Sequence, residues 1–126
     1  MQRSPLTPSL YTDDLAGTIA FYTEVLGFEQ TGRWDEDEVP IWAELTLRNE
    51  TDAARIWFFT GQIQDRPGPA LSGVIYLFVD DVDAEAARIG GRATVSWGPE
   101  DQPYGLREFA VEDPNGYLVC LARDID

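Results

Sequence analysis

Leu10-Tyr11-Thr12-Asp13-Asp14-Leu15 returns as Leu77-Phe78-Val79-Asp80-Asp81-Val82, with Leu10 and Leu77 standing 67 residues apart. In each copy an extended apolar stretch meets an acidic pair, then a helical stripe, then glycine. A repeat of that period restricts the chain to a fold made of two like supersecondary units. Leu15, Ile19, Tyr22 and Leu26 form one apolar helix stripe, stopped by Gly27. Val82, Ala86 and Ile89 form a shorter stripe, stopped by Gly90-Gly91. Asp13-Asp14 and Asp80-Asp81 are helix starts, because a side-chain carboxylate accepts the orphan N–H groups of a first turn.

Strands are expected at Leu6–Thr12, Phe28–Trp34, Ile41–Arg48 and Arg55–Thr60, then at Val74–Val79, Arg92–Trp97, Leu106–Glu112 and Tyr117–Ala122. In Ile41–Arg48, Ala43, Leu45 and Leu47 alternate with Glu44, Thr46 and Arg48, the pattern of a half-buried strand. Asp113-Pro114-Asn115-Gly116 is a tight turn, with proline fixing φ and Asn-Gly tolerating positive φ. The expected architecture is α+β, two tandem βαβββ units at 6–60 and 74–122, with residues 61–73 as a Gly/Pro-rich linker. A chain of 126 residues forms one domain of this kind.

The net charge of −14, from 23 acidic and 9 basic residues, repels phosphate backbones and anionic lipid. Neither nucleic acid nor membrane is an expected partner, and a cationic small molecule is favoured. MQRSPLTPS lacks the apolar core of a signal peptide, and Cys120 is the single cysteine. The expected compartment is the cytoplasm. The chain has no histidine, so the commonest general base and metal ligand is missing.

QPYGLREFAVEDPNGY, from Gln102 to Tyr117, resembles the C-terminal signature of the glyoxalase/bleomycin-resistance/dioxygenase group, the vicinal-oxygen-chelate superfamily. DDLAGTIAFYTEVLGF, from Asp13 to Phe28, resembles the first helix of the same group. The resemblance implies two βαβββ units whose curved sheets surround a ligand groove, in a homodimer. Metal-dependent members place ligands at four strand positions, which here carry Thr7, Trp57, Val74 and Cys120. These residue types suit no hard or borderline divalent ion. No metal and no cofactor are therefore expected.

The metal-free bleomycin-resistance branch matches better. It carries an aromatic between Gln-Pro and Gly, here Tyr104, and an aromatic followed by carboxylates after Leu-Gly-Phe, here Trp34 and Asp35 to Glu38. The expected ligand is a small, cationic aromatic compound of antibiotic type, held by ring stacking and balanced by carboxylates. The residues assigned to it are Trp34, Asp35, Glu36, Trp42, Trp57, Phe59, Tyr104, Arg107 and Glu108, with Trp97 and Glu44 nearby in the pattern. Arg107 is expected to pair with Glu108 structurally. No residue is assigned as catalytic. The alternative is a lyase or isomerase of the same superfamily acting without a protein-chelated metal, with Glu44, Glu108 or Tyr104 as acid–base groups.

Overall fold

Each acidic pair does start a helix. In the computed structural model, which describes residues 5–61 and 68–125, the Asp14 carboxylate accepts the Gly17 N–H at 2.9 Å and the Asp81 carboxylate accepts the Ala84 N–H at 3.0 Å. The chain forms two compact units, Met1–Ala70 and Leu71–Asp126. Residues 62–67 of the expected linker lie outside the described residues.

The first unit contains β1 (Ser9–Tyr11), α1 (Leu15–Ala20), β2 (Glu29–Glu36), β3 (Val39–Arg48) and β4 (Ala53–Phe59), with sheet order β1-β4-β3-β2. The second contains β5 (Val74–Phe78), α2 (Val82–Ile89), β6 (Thr94–Asp101), β7 (Leu106–Glu112) and β8 (Leu118–Asp124), with order β5-β8-β7-β6. In each, the leading strand is parallel to the last and the other pairings are antiparallel. This is the expected α+β arrangement of two βαβββ units.

Boundaries differ from the sequence reading where backbone pairing outruns side-chain pattern. β1 is shorter than Leu6–Thr12. The helix that starts at Leu15 widens over Phe21–Val25, where the Leu26 N–H donates five residues back to the Phe21 carbonyl. β2 runs past Trp34 to Glu36 because Glu36 still pairs with Val39. The acidic run 35–38 is thus the tip of a hairpin, and Asp37 and Glu38 take positive φ, 50° and 66°, as a two-residue turn between twisted strands requires. β6 likewise continues to Asp101, beyond irregularities on either side of Trp97.

One face of each sheet packs on its helix. Tyr22 and Phe58 are fully buried with ring centroids 4.9 Å apart, and Tyr22 meets Phe28 at 5.2 Å. Ala43, Leu45 and Ile56 complete this layer. In the second unit Val82 and Ile89 bury with Leu77, Phe109, Val111, Val119 and Leu121. Full burial of one such side chain stabilises by roughly 1.5–3 kcal/mol. The turn after β7 is held as expected, with Asp113 Oδ1 accepting the Asn115 and Tyr117 N–H groups at 2.8 and 2.9 Å and Gly116 at φ 86°. Among the described residues no helix is long and apolar enough to cross a membrane.

Two expectations need correction. Glu44 and Thr46, on the polar side of the β3 alternation, are as buried as the apolar residues opposite them. Arg107 does not pair with Glu108: adjacent strand residues point to opposite faces, and Arg107 instead forks onto Asp83 of α2 at 2.8 and 2.9 Å and reaches Asp101 at 2.9 Å.

Candidate functional site

Strand register fixes what shares the helix-free face of each sheet. In the first unit Ser9, Trp57, Glu44 and Gly32 form one row across β1, β4, β3 and β2, and Tyr11, Phe59, Trp42 and Trp34 form the next. At the centre is the Glu44 carboxylate, 2% exposed. Trp57 Nε1–H donates to its Oε2 at 2.9 Å and the Thr31 hydroxyl donates to its Oε1 at 2.7 Å. Thr31 and Thr46 hydroxyls are 2.7 Å apart, and because the single Thr31 proton goes to Glu44, Thr46 is the donor between them. A bulge in β2 between Gln30 and Gly32 turns Thr31 toward Glu44. The Trp42 and Trp57 rings meet edge-on at 5.2 Å, and Phe59 meets Tyr11 edge-on at 5.9 Å.

The second unit builds a similar centre from different strand positions. Tyr76, Cys120, Ala110 and Trp97 form one row across β5, β8, β7 and β6, and Glu108 lies two residues along β7 on the same face. The Glu108 carboxylate, 1% exposed, accepts Trp97 Nε1–H at 2.7 Å and the Tyr76 hydroxyl at 3.2 Å. These donors come from opposite edges of the sheet. Small side chains at Ala110, Cys120 and Ala122 leave room for them to reach inward. Hydrogen bonding to Tyr104, burial and the nearby Glu108 charge hold the Tyr76 phenol above its ordinary pKa. Burial, with the Glu108 charge behind it, pushes the Cys120 thiol up to about 12. Tyr104 is 59% exposed at the mouth of this cluster.

The structure therefore gathers the residues assigned from sequence into separate places. Trp57, Trp42 and Phe59 share the first unit's face with Glu44, and Tyr104 meets the second unit's cluster with Glu108. Trp34, Asp35 and Glu36 lie exposed toward the hairpin tip, where Asp35 pairs with Arg33 at 2.7 Å. Arg107 belongs to the helix side. Trp42 also forms a wall of a cleft of about 470 Å³ beside α1, shared with Asp13, Asp14 and Arg33. Those three charged groups already hold partners: the Tyr11 hydroxyl, the Gly17 N–H and Asp35.

Tyr76 was not found by sequence reasoning, nor was Thr31. The signal for Tyr76 was present: it stands 67 residues after Ser9, and it alternates with the buried Leu77. Nothing in the sequence marks the bulge that aims Thr31.

Three of the four positions at which the resemblance implies metal ligands offer an ion little here. Trp57 offers only an N–H, already donated to Glu44, and Val74 has no donor atom. Cys120 is fully buried, and it is a lone cysteine with no second thiolate to share an ion.

The sequence matches the family described as Glyoxalase/Bleomycin resistance protein/Dioxygenase superfamily over residues 5–121. Among solved structures it is similar to TnmS3, an antibiotic binding protein from Streptomyces sp. CB03234, at 26% identity, with 98% of each chain covered and a TM-score of 0.75. A glyoxalase/bleomycin resistance protein from the same Streptomyces is 27% identical, with 94% of this chain and 98% of that chain covered and a TM-score of 0.72. TioX from Micromonospora sp. ML1 shares the fold at 23% identity, covering 97% of this chain and 99% of that one, with a TM-score of 0.78. Comparison with curated proteins gave no significant match.

Proposed function

The chain belongs to the Glyoxalase/Bleomycin resistance protein/Dioxygenase superfamily, and from that premise we propose that it is a small-molecule-binding protein of the bleomycin-resistance type. It sequesters an aromatic, cationic, antibiotic-like compound without a metal of its own and acts in the cytoplasm. The observation that carries this reading is the helix-free face of each sheet, where aromatic rings surround a buried carboxylate: Trp57 and Trp42 around Glu44, and Tyr76 and Trp97 around Glu108. Rings supply stacking surface, and the −14 net charge draws a cation toward it. The antibiotic binding protein TnmS3 supports the same direction, since fold alone does not carry function.

Catalysis is the weaker reading. A general base must reach its substrate proton, and Glu44 and Glu108 are both buried behind indole N–H groups that donate to them.

A thermal-shift screen with bleomycins, other DNA-damaging antibiotics and planar cationic dyes identifies the ligand, because binding to the folded state alone raises its melting temperature. Tyr104→Ala should then weaken that ligand about three- to tenfold, the worth of one lost ring contact. Its exposure lets the ring be removed without opening the core. Titration by intrinsic tryptophan fluorescence measures both proteins, and equal affinities would remove Tyr104 from the site.

Self-association into a homodimer is part of this reading, as two like units per chain suit a two-fold assembly. Sedimentation equilibrium at micromolar concentration should give twice the 14.1 kDa chain mass, and a monomer mass would refute it.

A further inference from the structure

We propose that the helix-free face of the second unit selects ligands by hydrogen-bond polarity: it favours an aromatic compound presenting an O–H or N–H over an isosteric one that offers only acceptors. The inference rests on the ligand-binding reading above and adds the chemical class that the face accepts.

A tyrosine hydroxyl has one proton, and an indole has one N–H and no acceptor. Tyr76 gives its proton to Glu108 Oε1 at 3.2 Å, with Oε2 at 3.5 Å, and Trp97 gives its own to Oε2 at 2.7 Å. Both donors therefore point inward. Tyr76 is 39% exposed, and with its proton given to Glu108 its oxygen has only lone pairs left to offer a ligand. Donation to the Glu108 carboxylate polarises the Tyr76 hydroxyl, so its oxygen is a better acceptor than that of a lone phenol.

The first unit has the same polarity by other means. Glu44 draws in Trp57 Nε1–H and the Thr31 hydroxyl, and Thr46 donates to Thr31 in turn. The two carboxylates do not occupy equivalent strand positions, since the partner of Trp57 in the row is Glu44 whereas the partner of Cys120 is Ala110. The polarity is thus reached twice, not inherited from one shared residue. A ligand acceptor placed against Tyr76 meets lone pairs and loses its water, which is how a polar site rejects the wrong partner.

The test uses two probes with one ring system, 2-naphthol, which carries an O–H, and 2-methoxynaphthalene, which does not. Dissociation constants come from NMR titration of the full chain with millimolar probe. Wild type should bind 2-naphthol about three- to tenfold more tightly, the worth of one hydrogen bond. Tyr76→Phe keeps the ring and removes the acceptor, so the ratio should fall to within about twofold, chiefly through loss of naphthol affinity. Glu108→Gln places an amide N–H beside Tyr76, turns the Tyr76 proton outward and should lower the ratio too. If Glu108→Gln fails to fold, Tyr76→Phe decides alone. Tighter or equal binding of the ether by wild type, or a preference that survives Tyr76→Phe, overturns the polarity inference and leaves the binding reading standing. Binding of neither probe overturns the binding reading itself, and this inference with it.

Discussion

Gly98→Ala is expected to lower stability by about 3 kcal/mol or more, combining a left-handed backbone cost of about 1–3 kcal/mol with overpacking against main chain. Gly98 has φ +83°, and a Cβ built there would lie 2.2 Å from the Glu108 carbonyl oxygen and 3.0 Å from Phe109 Cα. Neither atom can rotate away, since both belong to the backbone of β7. The residue sits directly after Trp97, within the irregular stretch of β6 that brings the indole N–H onto Glu108. A shift to relieve the clash must therefore pull Trp97 off the carboxylate as well. Scanning calorimetry should show a melting temperature lower by roughly 10 °C or more. Gly105→Ala is the control: φ is +90°, yet no atom lies within 4 Å of its added Cβ, so only the backbone cost applies. Equal effects for the two variants would refute the close approach at Gly98.

The second large effect is expected for Trp57→Ala. The ring lies between the Trp42 indole, 5.2 Å away, and the buried Glu44, to which its N–H donates at 2.9 Å. Truncation removes aromatic contact area and takes a donor from a carboxylate with little access to water, for a stability loss of about 2–4 kcal/mol. Trp57→Phe keeps a ring and loses only the donor, at about 1–3 kcal/mol. Urea unfolding separates these cases. For a ligand found by thermal shift, Trp57→Ala should lose more than about tenfold in affinity while Trp57→Phe loses less, since the lost surface exceeds one ring contact. Wild-type affinity in both variants would place the ligand away from the first unit's face.

Local chemistry was legible from the sequence. Asp14 and Asp81 cap their helices through single N–H groups, and Asp113 folds its own turn, because each interaction spans at most four residues. The pairing of Glu44 with Trp57 across β3 and β4 depends on register, which the strand pattern suggested but did not fix. Alternation also told which side of β3 carries Glu44 without telling that its carboxylate is buried among hydrogen-bond donors there. Arg107 and Glu108 illustrate the opposite risk. They are neighbours in sequence, and for that very reason they face apart. Tyr76 escaped notice since Val74–Phe78 reads as an evenly apolar run, and only the edge position of β5 leaves one side of it open. The widened turn over Phe21–Val25 has no signature in the apolar stripe, which continues through it to Leu26.

Cys120 turns the chain into its own gauge of opening. It is the single cysteine, it lies on β8 between β5 and β7, and its proton is held to about 12. A thiol-reactive reagent at neutral pH meets almost no thiolate in the closed form, so modification waits until the strand comes loose and the sulfur regains its ordinary acidity. The labelling rate then reads the population of that opened state directly. A compound that holds the second unit shut will slow the clock, even if it has no chromophore and gives no heat.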